Sequence, residues 1–295
     1  MSNDAKLAAE AFNDGFGKAR GGATMEIADG VEVRMNVPYG MGGETELTAD
    51  LFLPPDSFKE PRPAMLFIHG GGWQGGTPQQ FYRQAAMLAA KGIVGASCRY
   101  RFSGDAKFPA SVHDVKAAIR WLRANADEFN IDPDRIGTMG GSAGGHLSTM
   151  LATTAGMEEL EGEGGSADQS SAVQLGVLLN PITDMTEFVA ETNLHPAAVK
   201  YLGGTPEEMP ERFELASPIR FIDANTPPCM LLHGTADITV PHSQSTRFAD
   251  AMHDQGLRAE LMLVEDVPHG FFNNPPHFGE TWPAIERFVL DVFGL

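Results

Sequence analysis

The 295-residue sequence predicts an α/β fold, with a mainly parallel central sheet and helices on both faces. Two observations predict it. From residue 63 onward, apolar runs of strand length alternate with longer segments of helical period. With 42% hydrophobic residues, the chain can also bury one large core, and α/β folds of this length commonly form a single unit, here 1–295.

Ala64 to Ile68 reads as a strand, and Gln79 to Lys91 as a helix closed by Gly92. Ile93 to Cys98 is the next strand. Val112 to Phe129 carries apolar residues at 112, 115, 118, 119, 122, 126 and 129, a helical stripe. Arg135 to Met139 predicts a strand and Ala143 to Thr154 a helix. Val173 to Leu179, Pro228 to Leu232 and Glu260 to Val264 complete the strands, with helices over His242 to Gln255 and Thr281 to Phe293. Residues 1–23 form an expected N-terminal helical extension, followed by strand-like runs around 25–36 and 47–53. Residues 156–172, acidic and rich in Gly and Ser, read as a surface loop. The Pro-, Glu- and Gly-rich stretch 183–222 interrupts the sheet and is the expected cap insertion.

Thirty-nine acidic against 21 basic residues give a formal net charge of -18, a field that opposes binding to nucleic acid or anionic lipid. No apolar run approaches the roughly 18 residues of a membrane helix. The start, Met1-Ser2-Asn3-Asp4-Ala5-Lys6, lacks the basic end and apolar run of a secretory signal. The expectation is a cytoplasmic chain, although a signal already removed would leave the same sequence. Cys98 and Cys229 sit in strand-like apolar runs and read as buried small hydrophobes.

Four segments carry chemistry. Gly140-Gly141-Ser142-Ala143-Gly144 lies between a predicted strand and a predicted helix, the setting of a nucleophile elbow. The turn is too tight for side chains at its flanks, and a serine there stands beside a helix N-terminus that favours a developing anion. His69-Gly70-Gly71-Gly72-Trp73 follows the strand at 64–68, and its glycines let backbone N–H groups converge on an oxyanion. Gly71, Gly72 and Ala143 are the expected donors, and His69 is expected to brace the loop. A phosphate cradle is the alternative for such glycines, but no Gly-Lys-Ser/Thr ending or dinucleotide fingerprint is present. In Leu231-Leu232-His233-Gly234-Thr235-Ala236-Asp237 a carboxylate follows a strand, and in Val264-Glu265-Asp266-Val267-Pro268-His269-Gly270-Phe271 a histidine does so. The chain order Ser142, Asp237, His269 is that expected of the α/β-hydrolase fold.

These elements, HGGGW, GGSAGG, HGxxD and HGF, resemble those of bacterial esterases related to hormone-sensitive lipase, above all the acetyl-xylan and feruloyl-esterase branch. Val37-Pro38-Tyr39-Gly40, Leu51-Phe52-Leu53-Pro54, Arg99-Tyr100-Arg101, Leu202-Gly203-Gly204 and Ser217-Pro218 extend the resemblance from about residue 36 to the C-terminus. It implies esterase activity without a metal or organic cofactor. The chain departs where the lipase group usually has Asp (Gly141) and Asn (His146), which fits the acetyl-xylan branch better.

Asp184 is the rival to Asp237, since the supporting acid can move between strands; Asp237 is preferred. Asp266 lies near His269 in sequence without their side chains having to meet, and Asp114 is expected to brace loops. His113, His146, His242 and His253 fall in helical patterns, and His195 and His277 in irregular segments without a paired ligand. No HExxH or Cys/His cluster occurs, so no metal is expected. Trp73, His146, Phe188 and Tyr201, with Met185, are the expected substrate contacts; packing of the cap onto the body is the alternative for its apolar residues.

The expected chemistry is two-step acyl transfer by Ser142, His269 and Asp237 on short-chain esters such as acetyl esters. An amidohydrolase with the same triad (formamidase or peptidase-like), or a non-catalytic ligand-binding module, stays open. The expected partner is a small-molecule ester, with no nucleic acid and no membrane; homo-oligomerisation is left open.

Overall fold

The computed structural model describes residues 2–295. Eight strands form one sheet: β1 (Glu32–Gly42), β2 (Thr45–Leu53), β3 (Arg62–Ile68), β4 (Val94–Cys98), β5 (Ile131–Gly141), β6 (Gly176–Leu179), β7 (Cys229–Gly234) and β8 (Ala259–Val264). The helices are α1 (Asn3–Glu10), α2 (Tyr82–Ala89), α3 (Ala110–Ala124), α4 (Ala126–Phe129), α5 (Ala143–Thr153), α6 (Glu158–Glu161), α7 (Met185–Glu191), α8 (Pro196–Leu202), α9 (Pro210–Leu215), α10 (Ser243–Asp254) and α11 (His277–Phe293). No helix among the described residues is long and apolar enough to cross a membrane.

The strand order is β1-β2-β4-β3-β5-β6-β7-β8. The pairs from β4 to β8 are parallel, whereas β1 and β2 join antiparallel. Parallel pairing brings the carboxyl ends of β3, β5, β7 and β8 to one edge: Ile68 is opposite Gly140, and Gly234 opposite Val264. In open α/β sheets that edge is where catalytic loops collect.

β3 shows why its sequence is a nearly unbroken apolar run. Its residues 63–68 are all buried, because helices cover both faces of the sheet. Leu66 and Ile68 enter the core shared with α3, α5 and α10; Met65 and Phe67 enter the opposite core, with Phe12, α2 and α11. Cys98 and Cys229 are fully buried and unpaired in this packing, and burial pushes the Cys229 thiol up to about 12.

Several expected boundaries move. The helix expected over 112–129 breaks at Asn125, and the strand expected at 135–139 runs from Ile131 to Gly141. The run at 25–36 is a strand only from Glu32, because a turn at Asp29-Gly30, with Gly30 at φ +86°, precedes it. Segment 1–23 holds α1 and a π-helical stretch, Ala11–Gly17, tied back by Asn13, whose Oδ1 accepts from the Met25 N–H at 2.8 Å. Segment 183–222 holds α7, α8, α9 and a 3₁₀ turn, Pro218–Phe221.

The acidic stretch 156–172 is more than a surface loop. It contains α6, whose Glu161 bonds the Lys116 ammonium and the Arg120 guanidinium at 2.8 Å each, and the Ser171 hydroxyl at 2.6 Å. Both cations are buried, and Glu161 is the carboxylate that pairs with each. Burial opposes ionisation of Glu161, but the hydrogen bonds from Lys116 and Ser171 outweigh it and hold its pKa below the ordinary 4.5. Breaking a fully buried pair typically costs roughly 3–5 kcal/mol. Water reaches Glu161, whose side chain is 23% exposed, so Glu161→Gln is expected to cost about 2 kcal/mol, read by urea unfolding at neutral pH. A depressed carboxyl pKa stabilises above 4.5 and ceases to do so as pH falls through its folded value. The gap between wild type and variant should therefore close below that pH.

Candidate active site

Ser142 sits between β5 and α5 at φ 56° and ψ -120°, a strained left-handed-side conformation that a non-glycine residue holds only where its surroundings enforce it. Its N–H donates to the Leu179 carbonyl at 2.9 Å, fixing the turn to β6. A Cβ at Gly140 would overlap the Gly144 carbonyl, and one at Gly144 the Ile68 carbonyl, so the tight turn excludes side chains at both flanks. A Cβ at Gly141 would lie 2.5 Å from the Phe272 ring. The aromatic ring thus fills the space that an aspartate at this position would need.

His269, in the loop after β8, faces the serine. Its Nε2 lies 2.9 Å from Ser142 Oγ, and its Nδ1 lies 2.6 Å from Asp237 Oδ2. Because a carboxylate accepts, Nδ1 carries the proton and the Nε2 lone pair points at the hydroxyl. Asp237 is anchored independently: its Oδ1 accepts from the Thr239 and Val240 N–H groups at 2.9 Å each. Its Oδ2 also lies 3.3 Å from His233 Nε2. Burial favours the neutral acid, yet the bonds from His233, His269 and the Val240 N–H hold Asp237 well below the usual carboxylate range. Asp184, the rival acid, instead caps α7, accepting from the Thr186 and Glu187 N–H groups at 3.1 Å each.

The glycine loop after β3 closes the other side. Gly70 is occupied, since its N–H donates to Gln80 Oε1 at 2.5 Å. Gly71 (φ +130°) and Gly72 (φ +60°) line the cleft beside Ser142, together with Ala143. Ala143 is the first residue of α5, where a helix leaves its N–H without an intrahelical acceptor. A Cβ at Gly71 would overlap the Gly75 carbonyl. His69 is buried and braces this loop: its Nδ1 lies 2.9 Å from the Gly70 carbonyl, its ring stacks on Tyr100, and burial pushes its pKa down to about 4.

The cleft over Ser142 measures about 280 Å³. Trp73 and Phe188 line it, as expected, with Ile182 and Val240. Met185, His146 and Tyr201 do not. His146 and Tyr201 stand behind Trp73, fully buried: Tyr201 stacks on the indole at 4.6 Å, and His146 Nδ1 accepts from the indole N–H at 3.3 Å while its Nε2–H donates to the Ala216 carbonyl at 2.9 Å. Both act on the cleft only by holding Trp73. A larger cavity of about 770 Å³ lies at Arg101, His113 and Asp114, away from this constellation; Arg101 is satisfied there by Asp114 at 2.6 Å, the bracing role expected of that aspartate.

Four residues with a bearing on the site carried no role in the sequence. His233 donates from Nε2 to the Val240 carbonyl at 2.9 Å and accepts at Nδ1 from Ser245 at 2.7 Å, holding the Asp237 loop. Gln80 positions Gly70, and its carbonyl accepts from Asn273 Nδ2 at 2.9 Å, which ties the glycine loop to the segment after His269. His195 and Arg20 line the cleft. His277, expected in an irregular segment, instead opens α11, its Nδ1 3.0 Å from Glu280.

Residues 49–252 match the BD-FAE family model, well over half of the chain. The chain belongs to the BD-FAE family. That match includes Ser142 and Asp237 and stops short of His269. Among similar proteins is the esterase LipQ of Mycobacterium tuberculosis, 34% identical over 79% of this chain; the chain spans 55% of LipQ's length. Two solved structures are similar over nearly their whole lengths. The thermophilic esterase Est2 of Thermogutta terrifontis has a TM-score of 0.74 and 32% identity, covering 90% of this chain and 95% of its own. A truncated carbohydrate esterase from gut microbiota has a TM-score of 0.76 and 28% identity, covering 91% and 99%. The family's fold here is the α/β-hydrolase fold, in agreement with the expected architecture.

Proposed function

We propose that this chain is a serine carboxylesterase acting through an acyl-enzyme, and the observation that carries the reading is the continuous line from Ser142 Oγ through His269 to Asp237, at 2.9 and 2.6 Å. His269 Nε2 takes the hydroxyl proton as Ser142 Oγ bonds to the ester carbonyl carbon, and Asp237 stabilises the imidazolium. The N–H groups of Gly71, Gly72 and Ala143 receive the oxyanion, each such donor being typically worth about 2.7–4 kcal/mol of barrier. The C–O bond to the alcohol then breaks and His269 returns its proton to the departing oxygen. Water, deprotonated by the same imidazole, releases the acid and restores the serine.

Short acyl chains fit best. A cleft of about 280 Å³, walled by the bulky Trp73 and Phe188, leaves little length beyond the reacting carbon. Residues 183–222 serve as the cap, since α7 contributes Phe188 to that wall. Est2 of Thermogutta terrifontis, similar over nearly its whole chain, has been solved with propionate and with butyrate bound. The test is kcat/KM on 4-nitrophenyl esters from acetyl to decanoyl, with acetyl and butyryl anilides alongside. Acetyl to butyryl esters should outrun decanoyl ester by about tenfold or more, the scale of a few methylenes that find no pocket. Faster decanoyl turnover removes the short-acyl reading, and anilides cleaved as fast as esters would make the chain an amidohydrolase.

A further inference from the structure

The cleft is lined by segments that follow the carboxyl ends of the strands, with one exception: Arg20, from the segment that joins the N-terminal helices to β1. In a chain of net charge -18, seven of the fourteen arginines pair with carboxylates: Arg34, Arg99, Arg101, Arg120, Arg135, Arg247 and Arg258. Arg20 does not. Among the described residues no carboxylate lies within 4.0 Å of its guanidinium, and no Asp or Glu lines the cleft.

Its backbone is nonetheless fixed. The N–H groups of Arg20, Gly22 and Ala23 all donate to the Gly17 carbonyl at 3.0–3.1 Å, and a Cβ on Gly17 would overlap the Ala23 carbonyl. The guanidinium carbon lies 5.4 Å from the centre of the Phe16 ring. Phe12, one turn earlier, is buried in the core with Phe271 and Phe272 of the His269 loop. A cation is thus held at the mouth of a reactive cleft with its hydrogen bonds unspent.

Its position selects one half of the substrate. A Cβ built on Gly270 would stand 3.7 Å from Arg20 Nη1, and Gly270 directly follows His269. The departing alcohol oxygen must lie within hydrogen-bond reach of His269 Nε2 to receive its proton. The oxyanion donors Gly71 and Gly72 come from the loop after β3. We propose that Arg20 is a specificity residue that binds a carboxylate on the alcohol half of the substrate, so that the preferred substrates are short-acyl esters of hydroxy acids. The proposal rests on the carboxylesterase reading. The BD-FAE match begins at residue 49, so the preference comes from a part of the chain that the family model does not include.

The matched substrates are 4-acetoxybenzoate and 4-acetoxybenzamide, which share acyl group, ring and ester position and differ in charge. Their kcat/KM ratio in wild type, Arg20→Gln and Arg20→Lys cancels intrinsic reactivity. Arg20→Gln should lower the anionic-to-neutral ratio about tenfold, chiefly through KM, as a charge-assisted hydrogen bond is lost. Arg20→Lys should fall between the two, keeping the charge without the planar fork. Raising salt to about 0.5 M should lower the wild-type ratio and leave that of Arg20→Gln unmoved. A purely structural arginine would slow both esters alike. A ratio within about twofold of wild type in Arg20→Gln, or the same salt dependence in both proteins, overturns the assignment while the esterase reading stands. If wild type hydrolyses neither ester, both readings fall together.

Discussion

Replacing Ser142 by alanine is expected to lower kcat on 4-nitrophenyl acetate by on the order of 10⁶, the scale seen when a triad nucleophile is removed. The size follows from what the hydroxyl alone supplies. His269 Nε2 lies 2.9 Å from Ser142 Oγ, and without that oxygen no bond to the acyl carbon can form. What remains is attack by water held between His269 and the oxyanion donors, worth about 10³–10⁴ over solution chemistry in comparable sites. Packing should hardly change, because Ser142 is only half-buried, the change removes a single oxygen, and its N–H bond to the Leu179 carbonyl belongs to the backbone. The left-handed-side φ of 56° strains alanine no more than serine, so little change of Tm is expected. A fluorophosphonate should label the wild-type protein on the peptide bearing Ser142 and leave the alanine variant unlabelled. Labelling on another serine, or undiminished turnover, would falsify the nucleophile assignment.

The legible part of this protein was the edge of the sheet that carries the candidate site. Ser142, Asp237 and His269 were readable because each follows an apolar run and stands among glycines or prolines, and a parallel sheet brings the ends of such runs to one side. The structure draws these three side chains into one hydrogen-bonded line. Side-chain contacts that depend on packing depth were not readable. His146 and Tyr201 carry the residue types of substrate contacts, but one indole layer, Trp73, separates them from the cleft, and letters do not encode depth. Glu161 looked like one more acid in a solvated loop because its partners, Lys116 and Arg120, lie on α3, more than 40 residues away. Arg20 left no signal at all, since nothing in a helical N-terminal segment says which cleft it will border. The shifted β1 start had a signal in Asp29-Gly30, a turn dipeptide that outweighs the apolar alternation before it.

Asp237→Asn should cost about 10⁴ in kcat with KM little changed, the loss that follows from putting the imidazole into the wrong tautomer. The amide could in principle turn its oxygen toward His269 and preserve the tautomer. The local hydrogen bonding forbids this. Oδ1 accepts two backbone N–H groups, from Thr239 and Val240, both at 2.9 Å. An amide NH₂ placed there would face two donors, a buried mismatch costing about 1–3 kcal/mol. The asparagine oxygen therefore stays with the backbone and its NH₂ points at His269 Nδ1. It donates there, which moves the imidazole proton to Nε2, directly against Ser142 Oγ, where a lone pair is required. The same NH₂ also faces the Nε2–H of His233, 3.3 Å from the present Oδ2, so some stability is lost as well. Kinetics measured beside a thermal melt separate the two effects, since a loss of about 10⁴ in a protein still folded at the assay temperature can only be chemical. Asp184→Asn is the control: it alters the cap of α7 and should leave kcat within about threefold, as asparagine caps helices nearly as well as aspartate. The reverse pattern, with Asp184→Asn crippled and Asp237→Asn active, would move the supporting carboxylate to the strand before the cap.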